Sequence, residues 1–408
     1  MPSLLQWFED WRRRRFARRL IAELAGAGMP GWRLDEAEDQ LVHPSSLQVN
    51  LGNIRKEYHN AGFAQRRQLL RKYIAIARQL EVRPQKLWPL AAPRIYPVVR
   101  SAYLAALFEL ELRSTGKTPR AELSWPLAGD LCVQLVYDFG EHLSYVDREL
   151  AGTWGQSDAQ LRETALANLA TLPRASWVQR DDGVYQLASE ASYEESLMLL
   201  PRVIAALPFA DPVCIASNRG VLLAADGASP RAMLALIAAA AEARETLPWP
   251  LSFLPCRRRG EEWQALDAAD PALPPPVGEA LGNLRRQALI GCYASQKPLL
   301  DALHEHTGED VFVANMQLLE LREQPGQQQS WCVWTRGVPT LLPQTDLVAL
   351  NRDADGAGND FVLVSRDKLA PLLQQYGTTP PLLPPRVRVT GFPDDEQWQA
   401  LQALRWNG

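Results

Sequence analysis

The apolar positions of this chain fall into a phrase that occurs twice. Leu207-Pro208-Phe209-Ala210-Asp211-Pro212-Val213-Cys214-Ile215 returns as Leu342-Pro343-Gln344-Thr345-Asp346-Leu347-Val348-Ala349-Leu350 at a constant offset. Each copy leads into a second apolar run, Val221-Leu222-Leu223-Ala224 or Phe361-Val362-Leu363-Val364, and then into a stretch with helical spacing. The pattern predicts two strand-strand-helix units in which Val213 matches Val348 and Ile215 matches Leu350, each pair on one side of its sheet, because side chains alternate faces along a strand.

Other segments fill in the plan. A helical stripe over 4–24 ends at Gly26 and Gly28. Short alternating runs at 32–34, 40–43 and 47–51 predict a small antiparallel meander, and helices follow at 54–59 and 66–80. Pro84, Pro89 and Pro93 mark a junction near residue 90. Beyond it come Arg94–Ser101, a helix over 103–113, the strong strand Leu131–Tyr137 and a helix over 158–172 with Asp158 near its cap. A hairpin over 177–187 turned by Asp181-Asp182-Gly183 and a helix over Tyr193–Leu207 complete the middle region. Pro271 and Pro274–Pro276 place the main boundary near 267–277, and a helix over Glu279–His306 opens the last region. Tyr193 with Leu199-Leu200 and Tyr293 with Leu299-Leu300 form an echo between two of these helices. The expected class is α+β, with antiparallel or mixed sheets built from repeated strand-strand-helix units and helices packed on one face. The expected regions are 1–90 (helices and meander), 91–266 and 278–408.

With 408 residues, 47% of them hydrophobic and 22% charged, the chain suits two or three globular domains. A net charge of −4 and the lack of an aromatic-interleaved basic stripe argue against nucleic acid. Five scattered cysteines without a Cys-x-x-Cys pair fit reduced thiols in a cytoplasmic protein. Four arginines directly after Trp11 interrupt any signal-peptide core, and no apolar run reaches the roughly 18 residues of a membrane span. Only six of the 43 basic residues are lysine, a compositional bias that weakens arguments from arginine clusters alone.

No converging catalytic set stands out. His304-Glu305-His306 places its rings about 200° apart on a helix, so they cannot share an ion, and the helix dipole before Gly308 accounts for them. Asn351-Arg352-Asp353-Ala354-Asp355-Gly356 starts like a calcium loop, but the twelfth position, which needs a glutamate, is Val362. Cys132 and Cys332 with His142 or His304 can be written as a thiol and base, yet no spacing selects a pair. Glycine-rich phosphate loops, Gly-x-Ser-x-Gly and His-Glu-x-x-His are missing. The adjacent carboxylates Glu194-Glu195, Glu261-Glu262 and Asp394-Asp395 read as solvated or helix-starting charges. Neither a metal nor a cofactor is expected.

Recognition is the better prospect. The helix is expected to pack through Leu4, Phe8 and Trp11 and to direct Arg12, Arg13, Arg14 and Arg15 to solvent, where they can attract an acidic partner; peripheral binding to an anionic membrane is the competing use of the same stripe. Among the proline-flanked tryptophans Trp88, Trp125 and Trp249, the last two are the chosen candidates for a partner groove.

Residues 94–266 resemble the YtpQ-like family of uncharacterised bacterial proteins. The resemblance is carried by Arg94-Ile95-Tyr96-Pro97-Val98-Val99-Arg100-Ser101, Leu135-Val136-Tyr137-Asp138, Leu166-Ala167-Asn168-Leu169-Ala170-Thr171-Leu172-Pro173, Tyr193 with Leu199-Leu200-Pro201, and Asp211–Ile215. The part after about 277 extends beyond shorter members. The resemblance implies a cytosolic bacterial α+β protein and supplies no catalytic residues. The resulting expectation is a non-enzymatic protein that binds another macromolecule, a protein partner, through a sheet face or groove where the two units meet. One alternative is an immunity-like protein that neutralises a neighbouring gene's product. Another is an enzyme with a dispersed site holding at least two of Cys132, His142, His304 and a carboxylate.

Overall fold

The computed structural model describes residues 4–44, 48–79, 83–140, 142–321, 327–353 and 360–406, the side chains of 4–10, 64 and 79 aside. Its N-terminal part is the helix Leu4–Gly26, the antiparallel meander Arg33–Asp35, Gln40–Val42 and Gln48–Asn50, and the helices Leu51–Asn60 and Phe63–Gln79. They close on one apolar cluster in which Phe16, Ala17, Leu20 and Leu24 supply the first helix's share. The described packing face thus runs from Phe16 to Leu24, starting one to two turns beyond Trp11, which was expected in it. Trp11 is exposed, and the side chains of Leu4 and Phe8 lie outside the described residues.

The middle of the chain holds two antiparallel sheets. In one, Leu131–Asp138 pairs with Ile95–Ser101, Ser124–Ala128 and Leu143–Tyr145. The other has six strands in the order Glu262–Ala265, Cys256–Arg259, Pro212–Asn218, Val221–Asp226, Tyr185–Ala188, Ser176–Gln179. Val213, Ile215, Leu223 and Ala225 point to the helices Pro230–Thr246 and Pro275–Thr307, while Cys214, Ala216, Leu222 and Ala224 point to a second core shared with Val98, Leu131 and Val136 of the neighbouring sheet. With both faces covered, these strands can be apolar at every position. Each fully buried aliphatic side chain stabilises the fold by about 1.5–3 kcal/mol relative to exposure.

The helix Pro275–Thr307 starts directly on the proline cluster, since Pro275 and Pro276 occupy first-turn positions that have no amide to satisfy. It ends at Gly308, whose φ of 72° is the left-handed conformation the stop signal requires. Its first half packs on the six-stranded sheet and its second half on the C-terminal region. There, Gln317–Glu320, Gln328–Thr335, Leu347–Asn351 and Phe361–Ser365 form a mixed sheet with one parallel pair, and a second mixed sheet contains Thr340–Pro343 and Arg386–Val389. Val348, Leu350, Val362 and Val364 face the helix Arg366–Tyr376. Both copies of the phrase are thus antiparallel strand pairs followed by a helix, with the matched residues turned toward that helix. The class is α+β.

One predicted helix is missing. Tyr193–Leu207 forms a single 3-10 turn, Ser196–Leu199, and a short helix, Pro201–Ile204. Pro201 disfavours the helical region for Leu200, which is extended at φ −95°, ψ 112°. Tyr193 therefore precedes any helix while Tyr293 lies inside one, and the sequence echo between them has no structural counterpart. Among the described residues, no helix is long and apolar enough to cross a membrane.

Candidate functional site

A groove of about 780 Å³ runs along the helix Ala102–Ser114. Ser101 caps this helix by accepting from the Leu104 amide. Leu107 and Leu110 bury one face, Leu110 against Leu300 of the long helix. An adjoining face is apolar too, and it is open: Leu104 is 45% and Phe108 55% exposed, one helical turn apart. Gln134 and Glu122 line the floor, and Gln134 donates to Glu122 at 2.6 Å. Burial raises the Glu122 pKa, with Glu109 adding to the effect.

The polar end is built by residues far apart in sequence. Arg100, buried, donates to Glu195 at 2.7 Å, and the second Glu195 oxygen accepts from the Gly220 amide at 2.9 Å. That bond holds the two-residue turn Arg219-Gly220 between the strands of the first unit, where Gly220 sits at φ 76°. Arg219 lies over the Trp249 ring at 4.7 Å and reaches Tyr145 Oη at 3.4 Å, and no carboxylate among the described residues pairs with it. Its pKa is lowered, mainly because the surrounding walls desolvate the head group and in part because Arg100 is close.

Trp249 is held in a conformation that costs energy. Its φ is 57°, rare for a bulky residue. The flanking chain is strapped to the first unit: the Arg219 amide donates to the Trp249 carbonyl, Asn218 Nδ2 donates to the carbonyls of Leu247 and Pro248, and the Trp249 amide donates to Asn53 Oδ1. Backbone strain of this kind, of order 1–3 kcal/mol, persists where the surroundings over-determine it, often at functional positions.

The other large depression, about 900 Å³, lies beside the C-terminal unit and the 267–275 segment. It contains none of the first unit's strand residues, so it is not a groove between the two units. Its central carboxylate, Asp346, is already bound by Arg286 at 2.8 and 3.3 Å and by the Ser330 amide and hydroxyl. Those bonds outweigh burial and hold its pKa below the usual carboxylate value. This is a satisfied structural anchor.

Of the sequence candidates, Trp249 is the one that lines the groove. Trp125 lies apart from it, half-buried beside Arg162, whose guanidinium stands 5.9 Å from its ring. The arginine block is not a free cationic face. Arg13 bonds Asp39 at 2.6 Å, Arg14 bonds Glu36 at 2.9 Å, and Arg15 stacks on Trp11, while Arg12 and Arg15 are exposed. Asp39 and Glu36 belong to the meander region, so the acidic run that separates its strands neutralises much of the block.

The candidate chemistry does not assemble. Cys132 begins the strand whose far end leads to His142, and burial pushes its thiol up to about 11. His142 stacks on Phe139, and burial lowers its pKa. Cys332 is buried beside Thr345. His304 and His306 sit in the last turn of the long helix, and no three His, Cys, Asp or Glu side chains among the described residues gather as metal ligands. Part of the calcium-like loop, 354–356, lies outside the described residues. Asp394 does start a helix, capping Asp395–Ala403. Glu194 and Glu195, expected in solvent, are both buried.

Arg100, Tyr145, Glu195 and Arg219 were not among the sequence candidates. An arginine inside the apolar run Pro97–Arg100 was the available signal, but its partner lies 95 residues away. No protein-family model, curated protein or solved structure matches this chain.

Proposed function

We propose that this protein is a non-enzymatic binding protein, an adaptor or accessory factor, that receives an apolar segment of a protein partner in the groove of helix Ala102–Ser114. The observation that carries this reading is the pair Leu104 and Phe108, exposed on a helix whose other face is already buried and bordered by Trp249 and Arg219. A groove of this volume with an aromatic and an arginine at its rim has the make-up of a recognition site. The state of the thiols fits a reducing, cytosolic setting, since all five cysteines are free and four of them buried. Relationship to the YtpQ-like family is part of the same proposal and adds no activity to it.

A photo-crosslinking residue placed at Phe108 in the native host, with one at exposed Val178 as control, tests the reading. The expected result is a specific protein adduct from position 108 whose purified partner binds the wild type and loses at least tenfold affinity to Phe108→Ala. Absence of an adduct, or an affinity that ignores Phe108→Ala, refutes it.

A further inference from the structure

Tyr145 closes the polar end of the groove in an unusual hydrogen-bonding state. Its phenol oxygen accepts from Arg100 Nε at 3.2 Å and from Arg219 Nη2 at 3.4 Å. A phenol has two acceptor lone pairs and one proton, so with both lone pairs engaged the O–H is left to donate. The carboxylate of Glu195, which shares Arg100 with this phenol, already serves that arginine and the Gly220 amide. Arg219 offers its remaining N–H groups at the same place, its guanidinium 4.7 Å from the Trp249 ring centre and its backbone tied to the Trp249 carbonyl. Donors therefore converge here from a hydroxyl and a guanidinium, and the complement that satisfies both is an acceptor-only group with negative charge.

We infer that the groove recognises an acidic side chain within the apolar segment of its protein partner, the carboxylate seated between the Tyr145 hydroxyl and the Arg219 guanidinium while apolar neighbours cover Leu104 and Phe108. The inference rests on the groove reading above. A single carboxylate fits the local field better than a polyanion does. From residue 91 onward the chain has 38 acidic residues against 27 basic ones, and within the groove Arg100, Lys117, Arg120 and Arg219 stand with Glu109 and Glu122, so positive charge is local and interspersed with negative, which suits one compact charge better than an extended polyanion.

The test uses the intact chain and a displayed random-peptide library, counter-selected on the Phe108→Arg variant. Selected peptides are synthesised with each Asp or Glu and with the matching Asn or Gln, and measured by fluorescence polarisation. Wild type is expected to favour one acidic position over its amide by tenfold or more. Tyr145→Phe should cut that preference to a few-fold and Arg219→Gln should abolish it, with thermal midpoints close to wild type. If Arg219→Gln does not fold, the Tyr145→Phe comparison decides. Equal affinity for acid and amide, with dependence on Phe108 retained, overturns the inference and leaves the groove reading standing. Recovery of no Phe108-dependent peptide removes both. Phe108-dependent binding of phosphatidylserine vesicles or single-stranded DNA that displaces the peptides assigns the groove to a polyanion and also overturns the inference.

Discussion

The two strand-strand-helix units share a frame and differ in what surrounds it. In both, an aspartate at the matched position precedes the first strand, and its backbone carbonyl accepts from the residue just past the second strand: Gly227 to Asp211 in one, Arg366 to Asp346 in the other. Both carboxylates bind an arginine, Arg257 and Arg286 respectively. The second strands diverge. Leu222 is fully buried against a second core, whereas Phe361, the corresponding residue in the register, is 52% exposed. The connections diverge as well. A two-residue turn delivers Arg219 to the groove in the first unit, while the second unit joins its strands through residues 352–360. A common scaffold thus becomes a candidate site only where its turn meets other parts of the chain, which is the usual division of labour between sheets and loops.

The largest difference between the two units is expected when a charge is placed at the matched position of each second strand. Leu222→Asp should destabilise by more than about 4 kcal/mol or abolish folding, because it buries an unpaired carboxylate. Phe361→Asp should stay within about 0.5 kcal/mol, read by urea unfolding. Similar losses at both positions would show that the two sheets are covered alike.

The paired aspartates sharpen it further. Asp346→Asn should cost about 2–3 kcal/mol, since the Asp346 carboxylate takes two bonds from Arg286 and two from Ser330, whereas Asp211→Asn, which weakens a single 3.0 Å contact to a similarly covered Arg257, should cost about 1 kcal/mol. Asp346 has a lowered folded-state pKa, so its contribution is present above the unfolded carboxylate value and is lost as pH falls through the folded one. Thermal midpoints between pH 2.5 and 5 should therefore vary less with pH in Asp346→Asn than in wild type.

A smaller effect tests the strap across the turn of the first unit. The segment Trp249–Ser252 runs beside residues 216–219, and Ser252 Oγ donates to Asp130 at 2.5 Å. Asp130 is fully buried, and burial pushes its pKa to about 6. A raised carboxyl contributes stability in full below its unfolded value, and that contribution is lost as pH rises through about 6. Asp130→Asn, which keeps an acceptor for Ser252 and removes the charge, should stabilise the protein by about 1–2 kcal/mol at pH 8 and have little effect near pH 4. Stability that is lower at pH 8 in the variant would show that the carboxylate charge is needed there.

Legibility followed range. Ser157 and Gln160 form a capping box one residue before the expected Asp158, and both are readable from four adjacent residues. The buried ion pair Arg100–Glu195 was invisible because two neighbouring glutamates look like surface charge until a strand from elsewhere covers them. The arginine block misled for the same reason, as its counter-charges Glu36 and Asp39 sit in a segment whose position relative to the helix is a matter of packing.

By itself the sequence determined the α+β class, the strand-strand-helix units and most element limits, because alternation, helical spacing and caps act between residues within one turn or one strand. Tertiary structure alone decided that the strand Val221–Asp226 is covered on both faces, that Tyr193 stands outside a helix, and that Asn53, Arg100, Tyr145, Arg219 and Trp249 meet at one groove. Those outcomes depend on how separate segments stack, and contacts between residues tens to hundreds of positions apart leave no period along the chain.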